Sequence, residues 1–236
     1  MSGAGESGRG ALIAERLAGL RRRIAVAAER GGRDASAVRL LAVSKYAEPE
    51  DVLAAYAAGQ REFGESRVQT ALPKIDILPE DVCWHLIGHL QSNKVNKVLG
   101  RFDLIHSVDG RELAERLSGK SLDRDIVTAV LVQVNCSGEE TKTGLAPGEA
   151  EDFILSLREL RGIVVQGLMT MAPLDGGEDG ARAAFRLLAE LRRGLLAKNL
   201  PELPLATLSM GMSGDFEIAV EEGANLLRVG NAIFGP

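Results

Sequence analysis

Eight short apolar, β-branched runs alternate with helical stretches of about a dozen residues, and this alternation limits the fold more than any other feature. The runs are Val38–Ser44, Glu62–Gly64, Trp84–Gly88, Leu104–Ser107, Ile126–Asn135, Ile163–Met169, Thr207–Met210 and Leu226–Val229. Between them lie helical patterns at Pro49–Ala58, Val68–Ile75, Asn93–Leu99, Arg111–Leu117, Pro147–Leu160, Gly180–Lys198 and Asp215–Glu222. Ahead of the series, Leu12, Ile13, Leu17, Leu20, Ile24 and Ala27 recur at helical spacing within Ala11 to Arg30. Consecutive βα units imply parallel strands, so the pattern predicts an α/β protein, a single (β/α)8 TIM-type barrel with an extra N-terminal helix. Residues 1–10 read as a flexible tail and residues 11–236 as one domain, since no Pro/Gly/Ser-rich linker interrupts them. An open doubly wound sheet is the alternative, weakened because no GxGxxG follows the first strand.

Composition narrows the function. A length of 236 residues, 45% of them hydrophobic, supplies one large core. A net charge of −5 gives no basic surplus for nucleic acid or for anionic lipid heads. No apolar run approaches the ~20 residues of a spanning helix, and MSGAGESGRG has no signal-peptide core, so a cytoplasmic protein without membrane partners is expected. Cys83 and Cys136 stand far apart and without CxxC spacing, and read as reduced core thiols. No long apolar stripe is left over for a second copy, so a monomer is expected.

In a barrel, chemistry sits where strands end at their C-terminal side. The first run, VRLLAVS, delivers Lys45, where desolvation would favour a neutral amine able to attack an aldehyde; the alternative is a solvated strand-end cation. After the seventh run come Gly211, Ser213 and Gly214, and after the eighth Gly230 and Asn231, small residues suited to phosphate at a helix start or simply to tight turns. Ser213 is expected to cap the helix that follows, with Asp215 and Glu217 facing solvent. Arg228 lies inside the apolar run NLLRVG and needs an acceptor, either a ligand or an internal Glu. A lysine, a phosphate cradle and an arginine together suit one molecule with an aldehyde, a phosphate and a ring nitrogen, pyridoxal 5′-phosphate.

His85 and His89 in WHLIGHLQSNK lack a third acidic ligand at motif spacing and read as packing residues, with no metal expected. Trp84 reads as core, and the Asn and Lys residues of Gln91–Lys97 as a solvated helix start. Lys142, in TKTG after the fifth run, is a candidate for a secondary Schiff base when the cofactor is abundant.

Taken in order, AVSKYAEPEDVLAAYAAGQREFGESRVQ, WHLIGHLQSNKVNKV, HSVDG, LVQVNCSGEETKTGL, GLMTMAP, LSMGMSGDFEIAVEEGA and LLRVGNAIFG closely resemble the pyridoxal phosphate homeostasis protein family. Its fold is similar to the N-terminal barrel of alanine racemase. The resemblance implies that Lys45 carries the cofactor as a Schiff base, that Ser213, Gly230 and Asn231 hold its phosphate, and that Arg228 faces the pyridine nitrogen. It also implies that the Met210–Gly211–Met212 loop lines the pocket. Two positions depart from the family: Ser66 replaces the usual Asn in FGESRVQ, and Asn231 the usual Thr or Ser.

A permanently charged Arg228 at the ring nitrogen disfavours ring protonation and weakens the electron sink that turnover needs. A racemase also needs a second acid/base opposite the lysine. Tyr46, expected to point away from Lys45, and Tyr56, on a helix, are poor candidates. The expected function is therefore intracellular storage and delivery of pyridoxal phosphate, apoenzymes being the recipients. A weak pyridoxal-phosphate-dependent amino-acid racemase is the alternative.

Overall fold

In a computed structural model that describes residues 3–139 and 142–236, each apolar run becomes a strand. These are β1 (Arg39–Val43), β2 (Glu62–Glu65), β3 (Cys83–Leu86), β4 (Leu104–Val108), β5 (Thr128–Gln133), β6 (Ile163–Met169), β7 (Thr207–Ser209) and β8 (Leu226–Val229). All neighbours pair in parallel and in chain order, and β8 returns to β1 with Leu41 opposite Arg228, closing the barrel. The helices are α1 (Gly3–Arg30), α2 (Pro49–Ala57), α3 (Val68–Ile75), α4 (Val95–Val98), α5 (Arg111–Leu122), α6 (Pro147–Ser156), α7 (Gly177–Leu196), α8 (Phe216–Glu221) and α9 (Asn231–Phe234). Among the described residues no helix is long and apolar enough to cross a membrane.

Strand alternation divides the core in two. Leu41, Leu104, Leu131, Met169 and Leu226 point into the barrel. Leu40, Ala42, Phe63, Trp84, Ile105 and Val132 point outward beneath the helices, with Phe63 and Trp84 ring centroids 5.6 Å apart. Gly64 belongs to the inner set, because a Cβ there would come within 2.9 Å of the Leu41 side chain.

The helix that follows β8 has only four residues, too short to cover the barrel wall. Its place is taken by α1, which packs on α2, α8 and α9 and buries Ile13, Leu17, Leu20 and Ile24. Each such side chain contributes about 1.5–3 kcal/mol of burial. The helix runs from Gly3, through the segment expected as a tail, and residues 1 and 2 lie outside the described residues. Arg9 extends it, donating to Asp51 at 3.0 Å and to the Phe234 carbonyl at 2.6 Å, while Arg16 donates to the Gly235 carbonyl at 2.6 Å. The anchored arginines hold the added turns against α2 and α9.

Candidate functional site

At the C-terminal mouth of the barrel lies a cavity of about 400 Å³, within the roughly 300–1,000 Å³ of small-ligand pockets. Lys45, Ser66, Met212, Ser213, Arg228, Gly230 and Asn231 line it together with Val43, Ile87, Met169, Met171 and Gly214. Eight of the residues singled out from the sequence thus converge: Lys45, Ser66, Met212, Ser213, Gly214, Arg228, Gly230 and Asn231. Lys45 and Arg228 are the two ionisable groups among these lining residues.

Arg228 forms the floor. Its position in the inner register of β8 leaves it 5% exposed, and burial pushes its guanidinium down to about 10, still protonated at neutral pH. Nη1 donates to Ser209 Oγ at 2.7 Å and Nη2 to the Thr170 carbonyl at 2.8 Å. The internal Glu considered as its partner is absent from these contacts. An arginine so placed has N–H groups left over for a ligand above it.

Lys45 stands on the rim, and the desolvation expected of it is not what the geometry gives. β1 ends at Val43, and a turn closed by the Ala47 N–H on the Ser44 carbonyl carries Lys45 outward, leaving it exposed. The same turn overturns the expected divergence of Tyr46: Lys45 Nζ lies 5.1 Å from the Tyr46 ring centroid, and Tyr46 is itself 86% exposed. Immediately beneath, Ser44 is fully buried. Its hydroxyl donates to Glu65 Oε1 at 2.7 Å, and Lys74 from α3 donates to the Ser44 carbonyl at 2.6 Å and to Glu65 Oε1 at 2.8 Å. This network, with Thr70 donating to Glu65 Oε2 at 3.2 Å, fixes the backbone from which Lys45 projects.

The loop after β7 also needs correction. Met210 does not line the pocket. It continues the strand alternation outward and is fully buried in the outer core, while Met212, two residues further, does reach the cavity. Gly211 shapes the loop without lining the cavity: its φ is +89°, and a Cβ would meet the Ala219 Cβ at 2.5 Å. Ser213 does not cap α8. Its Oγ instead accepts from the Ala232 N–H at 3.4 Å, tying the β7 and β8 loops together. Asp215 is half-buried rather than freely solvated: it accepts from the Met212 N–H at 2.5 Å, and burial raises its carboxyl. Glu217 pairs with Arg23 of α1 at 3.0 Å.

Elsewhere, His85 is buried inside the barrel while His89 is exposed beyond β3, so the two do not converge. Among the described residues no group of three His, Cys, Asp or Glu could hold a metal ion. Cys136 is half-buried and its thiol is pushed up to about 11, but Cys83 is exposed rather than core, because it opens β3 at the opposite mouth. Lys142 pairs with Glu139 and donates to the Ala172 carbonyl at 2.6 Å, outside the cavity lining. The neighbouring residues 140 and 141 of its motif lie outside the described residues. Ile87, Met169 and Met171 were legible only through inward strand register, and the Glu65–Lys74 pair through no local signal.

The family described as alanine racemase, N-terminal domain, matches residues 16–236. A pyridoxal phosphate homeostasis protein of Aquifex aeolicus is 42% identical, covering 94% of this chain and 96% of that one. Its namesake in Pseudomonas aeruginosa is 41% identical, covering 94% and 95%. The structure of PipY of Synechococcus elongatus without PLP aligns with TM-score 0.84 and 40% identity over 94% of this chain and all (100%) of that one. The same protein with PLP bound aligns at TM-score 0.79, 39% identity and the same coverage, 94% and 100%. An alanine racemase of Clostridium difficile shares the fold, at TM-score 0.74 and 12% identity over 95% of this chain and 56% of that one.

Proposed function

The chain belongs to the pyridoxal phosphate homeostasis protein family, and from that premise we propose that it binds pyridoxal 5′-phosphate at the C-terminal mouth and holds it in reserve for apoenzymes in the cytoplasm, as a monomer with one barrel domain over residues 11–236. One observation carries the reading. A buried, charged Arg228 with no carboxylate hydrogen-bonded to it among the described residues floors a cavity whose rim bears Lys45. When bound, the cofactor supplies an electrophilic aldehyde, a phosphate and a ring whose nitrogen can serve as an electron sink.

Lys45 is the residue whose amine would hold the molecule through its aldehyde carbon, with one water released in exchange for the bond. Ser213, Gly230 and Asn231 bind the phosphate, Gly230 by close backbone approach: a Cβ there would sit 3.0 Å from the Val43 carbonyl oxygen. Gly211 and Met210 hold the shape of the β7 loop, and Met212 covers the ring. Arg228 donates toward the pyridine nitrogen and keeps protons off it.

Storage rather than turnover is favoured by what lines the cavity. Racemisation needs acid/base groups on both faces of the substrate carbon. Tyr46 lies beside the nitrogen of Lys45 itself, and Ile87, Met169 and Met171 are not ionisable. An absorbance spectrum of the loaded protein tests the proposal. A band at about 420 nm, abolished by borohydride and missing in Lys45→Ala, is expected for a lysine-bound aldehyde. Its absence on loading overturns the ligand assignment, and lysine-dependent racemisation of alanine overturns the storage role.

A further inference from the structure

Below Arg228, a row of polar side chains crosses the otherwise aliphatic barrel interior. Arg228 Nη1 donates to Ser209 Oγ at 2.7 Å on β7; Ser209 Oγ lies 3.1 Å from His106 Nδ1 on β4; and His106 Nε2 lies 3.0 Å from His85 Nδ1 on β3. His85 Nε2 then faces Glu62 Oε2 on β2 at 3.7 Å, and Glu62 pairs with Arg39 at 3.3 Å near the opposite mouth. Ser209 and His106 are fully buried and His85 is 3% exposed. Aliphatic side chains such as Leu104 and Leu131 fill the rest of this interior, so polar groups here are costly unless each hydrogen bond is satisfied.

One order of donors satisfies every member of this row. A guanidinium donates and never accepts, so Ser209 Oγ accepts from Arg228, and His106 Nδ1 is the acceptor in the row within reach of the Ser209 proton. His106 therefore carries its hydrogen on Nε2 and donates to His85 Nδ1. That in turn places the hydrogen of His85 on Nε2, facing the Glu62 carboxylate. Burial pushes His85 down to about 3 and His106 well below the ordinary imidazole range, so both rings are neutral and each has one donor and one acceptor. In the reverse order Ser209 Oγ accepts twice and its own proton finds no acceptor in the row, while the lone pair of His85 Nε2 is set against the Glu62 carboxylate. Every X–H bond thus points from the buried cation toward the carboxylate, an arrangement in which successive bonds polarise one another.

We infer that Ser209, His106 and His85 are positioning residues for Arg228: their one-way row fixes the rotation of the guanidinium at the pocket floor and links its charge to Glu62 across the barrel. A carboxylate set directly against Arg228 would occupy the donors that face the cavity. The row instead holds Nη1 from below. This inference rests on the reading that the cavity binds pyridoxal phosphate, and its first test does not use that ligand.

Heteronuclear NMR of the ring nitrogens in the chain alone should find both His85 and His106 as Nε2–H tautomers, unchanged between about pH 5.5 and 8.5. A ring carrying its hydrogen on Nδ1, or titrating in that window, overturns the row. The second test compares Ser209→Ala and Ser209→Thr in proteins whose circular dichroism matches wild type. Loss of one buried hydrogen bond should weaken pyridoxal phosphate binding roughly five- to tenfold and displace the absorbance band in Ser209→Ala, with Ser209→Thr restoring both. An Ala variant within about twofold of wild type, with an unmoved band, overturns the positioning role. If wild type itself binds no pyridoxal phosphate, the pocket assignment fails while the tautomer result still decides the row.

Discussion

The rim of the pocket and the polar layer just under it are separated by a single peptide bond, yet they obey opposite rules. Lys45 is exposed, its nitrogen beside a tyrosine ring and available to a ligand; Ser44 is sealed, and Lys74 reaches in from α3 to bond its carbonyl and Glu65. The two lysines differ in what their neighbours leave unsatisfied. Groups at the rim are open to ligand chemistry because the fold does not use them, whereas groups below are consumed by the fold. Substitution at the rim should therefore cost ligand and little stability, and substitution below should do the reverse.

The sharpest way to break this contrast is Glu65→Ala, which strands the buried ammonium of Lys74. We expect a loss of about 3–5 kcal/mol in denaturant unfolding, and a much smaller one when Glu65→Leu is combined with Lys74→Met, since the pair's desolvation cost disappears with it. A Glu65→Ala variant as stable as wild type would mean that the layer does not carry the rim.

Acid should act next most strongly. His85 and His106 bind protons in the unfolded chain near pH 6.5 but not in the folded one, so the unfolded state takes up more protons below that pH. Stability is then fully present above about pH 6.5 and falls as the pH drops toward about 3, by roughly 2 kcal/mol between pH 7 and 5 from His85, with His106 adding to the fall in the same direction. Glu62 and Asp215, whose carboxyls are raised by burial, act in the other direction and blunt the fall. Unfolding midpoints that stay level from pH 7 to about 5 would place charged or exposed rings in the barrel. Smallest is the stability change in Lys45→Ala, expected to stay within about 0.5 kcal/mol even though bound cofactor is lost. A larger loss would give Lys45 a structural role and erase the contrast.

Much of this was legible before any coordinates. β6 and β8 fall on Ile163–Met169 and Leu226–Val229 as their apolar runs predict, because a strand buried on both faces is written as an uninterrupted run. Arg228 stood out for the same reason, as a charge where the pattern allows none. What escaped depended on geometry at strand ends and on contacts distant in sequence. The apolar neighbours of Lys45 imply burial, but a turn after Val43 reverses it; Met210 follows alternation outward although its loop mates face in. Lys74 looks like any polar residue on a helix until α3 is docked over Glu65, and nothing near His106 announces Ser209.

The substitution of α1 for a wall helix after β8 has a consequence for biosynthesis. Arg39 pairs with Leu226, and Arg9 and Arg16 reach the carbonyls of Phe234 and Gly235, so segments made early in the synthesis of the barrel meet these partners late. Until β8 emerges, the open edge of β1 and the part of α1 that α8 and α9 cover travel unpaired, a template for association with other chains. Ring closure across so long a loop is also the slowest class of contact to form, so the nascent chain is most vulnerable in the interval before its final strand arrives.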